Sequence, residues 1–400
     1  MECPPERAED RSTDVHDELL DALVGDLDRF EERSFGRRPL HRPAHGDLAV
    51  RFRELLDVDD VDRIIASGAR APTFRLVRDG STLPPTAGTR RSRLGGKDVD
   101  DVADPDRVAD EFARGATVVL QSLQRTWRPV DLFCRRLERA LGHAVQANAY
   151  LTPPGSTGLA AHADEHDVIV LHVHGSKTWE IDDVGPLTLR PGDVLYLPAG
   201  VRHAATAQVV TSLHLTIGIL RTTLGDVLRR VLSSDPSTEW SRPLPVGFDR
   251  PERRPELVAA LRSAAEATRR ALDDLDVEPL ADEAARRRIS TRRRDGHRRL
   301  SSVVASRSLD PSSHVVLRQD RRVDRRPELD GEGRVVVELP GRRLRLPAAM
   351  GAALDVLLSG SVVRIDQLPG LDDGDRQVLV ARLVREGVLD VVAAGHVASS

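Results

Sequence analysis

Positions His16, Leu19, Leu20, Leu23, Val24, Leu27 and Phe30 recur at helical spacing and predict one amphipathic helix over 16–35. Further helices are predicted near 47–57, 105–114 and 129–142, the last opening on Pro129 and stopping at Gly142. From about residue 145 the period changes. Short apolar runs at 145–151, 167–174, 177–182, 186–189, 193–197 and 209–219 are separated by Pro, Gly and Asp turns. Closely spaced short strands of this kind predict an all-β barrel or sandwich. Helical spacing returns at 224–233 and 255–275, where Leu257, Leu261, Ala264, Ala265 and Leu272 form an apolar stripe interrupted by Thr268.

The C-terminal stretch reads as a small separate domain. A strand pair over 334–346 brackets Pro340-Gly341, and a helix over 347–358 ends near Gly360. An extended piece, 362–368, leads to a helix capped by Asp372 or Asp373 that runs to Arg385, and 388–392 closes as a strand. Helix, short connection, helix, strand is the order of a winged helix-turn-helix. The expected domains are therefore 1–222 (barrel core about 145–222), a helical region 223–329 that includes the Arg-rich stretch 283–326, and 330–400.

Composition narrows the class of protein. The 400 residues, 40% hydrophobic and 30% charged, have room for two or three domains with cores of their own. No run of 18 or so apolar residues exists, and the acidic, polar N-terminus lacks the basic and apolar regions of a secretory signal. Cys3 and Cys134 are too few for a disulfide framework or a zinc cage, and a reducing cytoplasm is expected. Of the 59 basic residues only Lys97 and Lys177 are lysines. Arg286 to Arg299 concentrate arginine around a single acid, Asp295, and form a candidate phosphate-contacting segment or a solvated basic linker.

The chemistry concentrates in two places. In Ala161-His162-Ala163-Asp164, strand alternation projects His162 and Asp164 to one face. In Gly192-Asp-Val-Leu-Tyr-Leu-Pro198-Ala-Gly200-Val-Arg-His203, Gly192 permits a tight turn, and Pro198 with Gly200 stiffens the next one, aiming His203 back across the barrel. Two histidines and one carboxylate with open positions suit non-haem iron(II).

The run from Asn148 to Gly218 resembles the JmjC oxygenases of the cupin superfamily, most closely the bacterial-type ribosomal oxygenases. The matching pieces are Asn148-Ala-Tyr150-Leu-Thr-Pro-Pro-Gly-Ser-Thr-Gly, His162-Ala-Asp164-Glu-His-Asp-Val, Gly175-Ser-Lys177-Thr-Trp179, the His203 motif and Ser212-Leu-His214-Leu-Thr. The resemblance implies an α+β protein: a double-stranded β-helix with N-terminal helices, a helical dimerisation region and a C-terminal winged helix. It implies Fe(II) at His162, Asp164 and His203, which are then also the catalytic centre, and 2-oxoglutarate as co-substrate. The position between the first two ligands, often aromatic in the family, is Ala163 here, which widens the mouth of the pocket.

The resemblance also places a cation fifteen residues beyond the first histidine, at Lys177, to hold the distal carboxylate of 2-oxoglutarate. The residues agree with this, because one of only two lysines follows a hairpin glycine and points into an apolar strand. Asn148 and Tyr150 would hydrogen-bond the co-substrate by the same analogy, and His214 would border it. His166 is read as second shell or a solvated loop residue, and His172 and His174 as structural residues sharing a strand face.

The family's characteristic substrates are ribosomal proteins, so the activity implied is hydroxylation of a protein side chain by a homodimer. Two other functions stay open: the same chemistry on a peptide or small biosynthetic molecule, or an inactive winged-helix binding protein. The C-terminal helix sets Arg376, Arg382 and Arg385 against Asp373, Asp375 and Glu386, a poor balance for phosphate contact. That domain is therefore expected to be structural or protein-binding.

Overall fold

The computed structural model describes residues 14–207, 209–234, 242–293, 296–318, 328–330, 332–339 and 342–392. They fall into two units, one ending at Arg221 and the other starting at Thr222.

The first unit begins with α1 (Asp14–Val24), α2 (Leu27–Arg33), β1 (Leu40–Arg42), α3 (Leu48–Leu55) and α4 (Val58–Ala66). The single helix expected over 16–35 is thus two. Gly25 takes φ +84°, and the Asp26 side chain starts a new helix by accepting from the Arg29 amide. A β-rich stretch follows that hydrophobic period did not predict: β2 (Phe74–Arg78), β3 (Ser81–Thr82), β4 (Thr89–Leu94) and β5 (Lys97–Ala103). Three of these strands are mostly polar and exposed, so little apolar alternation marks them. Next come α5 (Pro105–Ala113), β6 (Thr117–Leu120) and α6 (Arg128–Leu141), whose face of Val130, Phe133, Cys134 and Leu137 is buried.

The barrel itself comprises β7 (Ala144–Thr152), β8 (His162–Ala163), β9 (Asp167–His174), β10 (Lys177–Ile181), β11 (Gly185–Leu189), β12 (Val194–Leu197), β13 (Arg202–Ala207) and β14 (Ser212–Leu220). Two sheets form it: a large one ordered β1-β12-β9-β14-β7-β6-β2-β3 and a small one ordered β11-β10-β13-β8. Six of these eight strands match expected runs. β13 was not anticipated as a strand because Arg202 to Ala207 is short and polar; its partners β10 and β8 specify it.

One core packs the helices against the outer face of the large sheet, through Phe52, Leu56, Leu137, Ala149, Leu171 and Ile217 among others. A second, smaller core fills the barrel between the sheets with Val168, Val170, Trp179, Ile181, Leu189, Leu195 and Leu197. Asp167 is completely buried, beside Tyr196 of the larger core. It accepts from Tyr196 Oη at 2.6 Å and from the Ala199 amide at 2.8 Å, and pairs with Arg221 at 3.2 Å. A buried carboxylate needs such company to remain charged.

The second unit contains α7 (Leu224–Ser234), α8 (Arg254–Asp273), α9 (Val277–Thr291), α10 (Arg299–Ala305), β15 (His314–Leu317), β16 (Glu328–Leu329), β17 (Arg334–Leu339), β18 (Arg342–Pro347), α11 (Gly351–Leu358), β19 (Val363–Arg364), α12 (Asp373–Glu386) and β20 (Leu389–Val392). Its core reaches back to Leu309, Val315 and Leu317, upstream of the boundary expected at 330, because β15 pairs with both β19 and β20. The turn expected at Pro340-Gly341, and Arg294 and Asp295 of the basic cluster, lie outside the described residues. The apolar stripe on α8 is uncovered within this unit: the helix has no buried residue, and Leu261 is 54% exposed.

Candidate active site

His162 and His203 sit directly opposite each other on paired strands β8 and β13, which brings their rings to 4.6 Å between centroids. Asp164 follows as β8 ends, and its carbonyl accepts from the Gly200 amide at 2.9 Å. That bond locks the ligand loop to the turn leading into His203, and Gly200 holds φ +86° there, a conformation that glycine adopts readily. The carboxylate lies 3.9 Å from His162 Nε2 and 3.7 Å from His203 Nε2.

Each imidazole is oriented from behind. His162 Nδ1 faces the Ala160 carbonyl at 2.8 Å and His203 Nδ1 faces the Val201 carbonyl at 3.1 Å. A carbonyl can only accept, so both Nδ1 atoms carry the proton and both Nε2 lone pairs turn toward Asp164. Burial pushes the His203 pKa down, which keeps that ring neutral and ready to ligate. Among the described residues these three form the one cluster with metal-ligand spacing, their ligand atoms all within 4.8 Å of one another. Two nitrogens and a carboxylate on one side of a cation fit iron(II) with the other side open.

The centre lines a cavity that is partly open to solvent. Its small-sheet wall descends from the His162–His203 row to Trp179 paired with Ala205, then to Lys177 paired with Ala207. Trp179 packs on His203 with ring centroids 5.7 Å apart. Four residues of strand separate the His203 row from Lys177, about 13 Å at the usual rise.

Lys177 is 2% exposed, and its Nζ donates to Thr152 Oγ1 at 3.0 Å. Among the described residues it has no acidic partner, and burial pushes its pKa from an ordinary 10.5 down to about 7. A buried cation without a counter-ion is costly unless a ligand supplies the negative charge.

The large-sheet wall presents Gln146, Asn148, Tyr150 and Thr152 from alternate positions of β7. Each lies opposite an inward residue of β14: Gly218, Thr216, His214 and Ser212. Tyr150 stacks on His214 at 4.9 Å and 4°, and His172 extends the stack. Burial pushes His214 well below its ordinary range and His172 to about 4, so both rings are neutral.

All seven of the residues singled out for metal or co-substrate, namely His162, Asp164, His203, Lys177, Asn148, Tyr150 and His214, line this cavity. Asn148 already accepts a bond from the Ser122 amide at 3.0 Å. His166 also lines the cavity, lying over Gly218 with Nε2 3.2 Å from the Gln146 amide. The shared face expected for His172 and His174 does not hold: His172 is fully buried, whereas His174 ends β9 in solvent beside a register shift in the β9–β14 pairing. Sequence reading passed over Thr152, although its alternation with Asn148 and Tyr150 places it on the same face.

Comparison with known proteins concerns this same region. A family model described as "JmjC domain" matches residues 120–187 and 182–227. A protein of Branchiostoma floridae named "Bifunctional lysine-specific demethylase and histidyl-hydroxylase NO66" is 37% identical over 136 residues, 32% of this chain and 22% of that protein. Human "Ribosomal oxygenase 1" is 34% identical over 169 residues, covering 34% and 26% of the two chains. The chain thus spans about a quarter of the length of these two relatives. Among solved structures, Escherichia coli ribosomal oxygenase YcfD superposes with a TM-score of 0.50 at 16% identity, over 92% of this chain and 99% of that one. That likeness is one of fold.

Proposed function

We propose, from the match of residues 120–187 and 182–227 to the JmjC domain model and from the geometry of the site, that this chain is an iron(II)- and 2-oxoglutarate-dependent oxygenase acting on a protein side chain. The observation that carries the reading is the convergence of two back-oriented imidazoles and one carboxylate above a buried cation that, among the described residues, has no acidic partner.

Bound iron(II), with 2-oxoglutarate and dioxygen, supplies the oxidising chemistry: 2-oxoglutarate, O2 and a substrate C–H give succinate, CO2 and C–OH. The chain's part is to hold and orient. His162, Asp164 and His203 take the metal. Lys177, fixed by Thr152, receives the distal carboxylate as a salt bridge in a dry environment, where it is strong. Asn148, Tyr150 and His214 hydrogen-bond the co-substrate along the large sheet. Trp179, Val168 and Ala205 keep water from the reacting centre.

The substrate we infer is a ribosomal protein, because the relatives named above are ribosomal oxygenases and a histidyl-hydroxylase. We also propose a cytoplasmic homodimer built on the uncovered α8 stripe, and a C-terminal winged helix that is structural or protein-binding. Arg286–Arg299 is proposed as a phosphate contact to the ribosome. No helix among the described residues is long and apolar enough to cross a membrane.

Succinate release from purified protein supplied with iron(II) and 2-oxoglutarate tests the chemistry, and mass spectrometry of candidate ribosomal proteins tests the substrate. Asp164→Ala is expected to reduce iron-dependent succinate release at least a hundredfold. Release undiminished in that variant would refute the metal assignment.

A further inference from the structure

One row of side chains runs from the cavity wall to residues beyond its lining. Cross-strand pairing places Arg75, Val119, Tyr150 and His214 in a single row across the large sheet. Arg75, at the outer end of that row, is half-buried. Its guanidinium donates to Thr82 Oγ1 at 2.8 Å, its Nε is buried without a partner, and among the described residues it makes no ion pair. The β2–β3 hairpin that carries it reaches the cavity rim, where Gly80 bridges to the lining residue Leu159. Residue 75 lies outside the segment that matches the JmjC model.

The groups around Tyr150 constrain which way its hydroxyl can donate. Asn148 gives its amide oxygen to Ser122, which leaves its NH2 for Tyr150. Burial pushes the Tyr150 pKa up, while the charge of Arg75, in the same row of the sheet, and the Asn148 side chain work against that rise. A phenol whose oxygen accepts from two donors keeps its own O–H to give elsewhere. Stacking on His214 fixes the ring, so that O–H has only the cavity to serve.

We propose that Arg75 is a positioning residue for the co-substrate: by donating to Tyr150 it commits the Tyr150 hydroxyl as a donor to a carboxylate oxygen of 2-oxoglutarate. The inference rests on the oxygenase reading above. It adds to the site a residue from a strand that neither motif nor family model reaches.

The test uses the full chain loaded with Mn(II) under nitrogen and titrated calorimetrically with 2-oxoglutarate. Tyr150→Phe and Arg75→Met are each expected to weaken binding about tenfold, the scale of one lost hydrogen bond to a charged group. Because the two act in series, the double variant is expected to lose no more than Tyr150→Phe alone. Arg75→Lys, which keeps a donor and a charge, should recover most of the loss. A second readout needs no ligand. The chain has only Tyr150 and Tyr196, so the tyrosine Raman doublet, differenced against Tyr150→Phe, reports the Tyr150 phenol. Arg75→Met should shift it and Arg75→Lys should leave it in place. Unchanged affinity in Arg75→Met, additive losses in the double variant, or an unmoved doublet would each overturn the proposal. A parent chain that binds no 2-oxoglutarate overturns the oxygenase reading, and this inference with it.

Discussion

Replacing Lys177 with methionine keeps most of the stem and removes the charge, so it tests whether that buried ammonium waits for a carboxylate. With burial holding its pKa at about 7, the folded chain binds fewer protons at this site than the unfolded chain between about 7 and the ordinary value near 10.5. Stability therefore rises with pH through that window, and at pH 7 and below the fold carries nearly the full cost of the unpaired cation. At about 1.4 kcal/mol per pH unit, that cost is bounded at roughly 5 kcal/mol. Relaxation and water entry make about 1–3 kcal/mol the working expectation for the gain in Lys177→Met at pH 7.

Binding reverses the sign. A carboxylate against the ammonium raises the lysine pKa again, so 2-oxoglutarate binding at pH 8 should take up close to one proton. Affinity should then fall about tenfold per pH unit above 7 until the bound-state pKa is reached. Calorimetry in two buffers of different ionisation enthalpy measures the uptake, and denaturant melts of the variant measure the stability. A Lys177→Met chain that is no more stable and binds 2-oxoglutarate as tightly as the parent, without proton uptake in either, would refute the argument.

Three further outcomes follow from particular contacts. Tyr196→Phe removes the hydroxyl that joins the Gly36 amide, at 2.6 Å, to the fully buried Asp167, and should cost about 2–3 kcal/mol in denaturant melts. Gly175→Ala would set a methyl group against the Thr211 carbonyl at a residue with φ +69°, and should cost at least about 3 kcal/mol and lower soluble yield. Leu261→Glu places a charge in the uncovered α8 stripe; if the proposed homodimer forms there, light scattering should show a dimer for the parent and a monomer for the variant, with the barrel's melting unchanged.

The clustering of His162, Asp164 and His203 was legible because its geometry is local. Alternation along two residues of strand aligns His162 with Asp164, and a Pro-Gly turn of fixed shape aims His203, so residue type and spacing carry the information. Lys177 was legible through its rarity in a chain that otherwise uses arginine. Arg75 and β13 were not, because cross-strand register decides where they lie. Nothing in Phe74 to Arg78 signals that the strand ends up two strands away from Tyr150. The exposed hairpin of β4 and β5 escaped for a related reason, since polar strands leave little hydrophobic period to read.

The two walls of the barrel separate the proposed metal site from the proposed co-substrate site. All three proposed metal ligands come from β8, the residue beyond it, and β13, which pair directly, and the Gly200–Asp164 bond closes the loop between them. Their geometry is thus set within the small sheet. The anion subsite differs, because Lys177 belongs to the small sheet while Thr152 and the Tyr150–His214 stack belong to the large one. Its shape depends on the spacing between sheets, which the packing of Val168, Val170, Trp179 and Leu195 maintains. A change in that packing alters the distance a dicarboxylate must span while leaving the Nε2 atoms and the carboxylate where they are. On the proposed reading the fold would hold its metal rigidly and meet its co-substrate across an interface, and the inter-sheet core would be as much a part of co-substrate recognition as the groups that touch it.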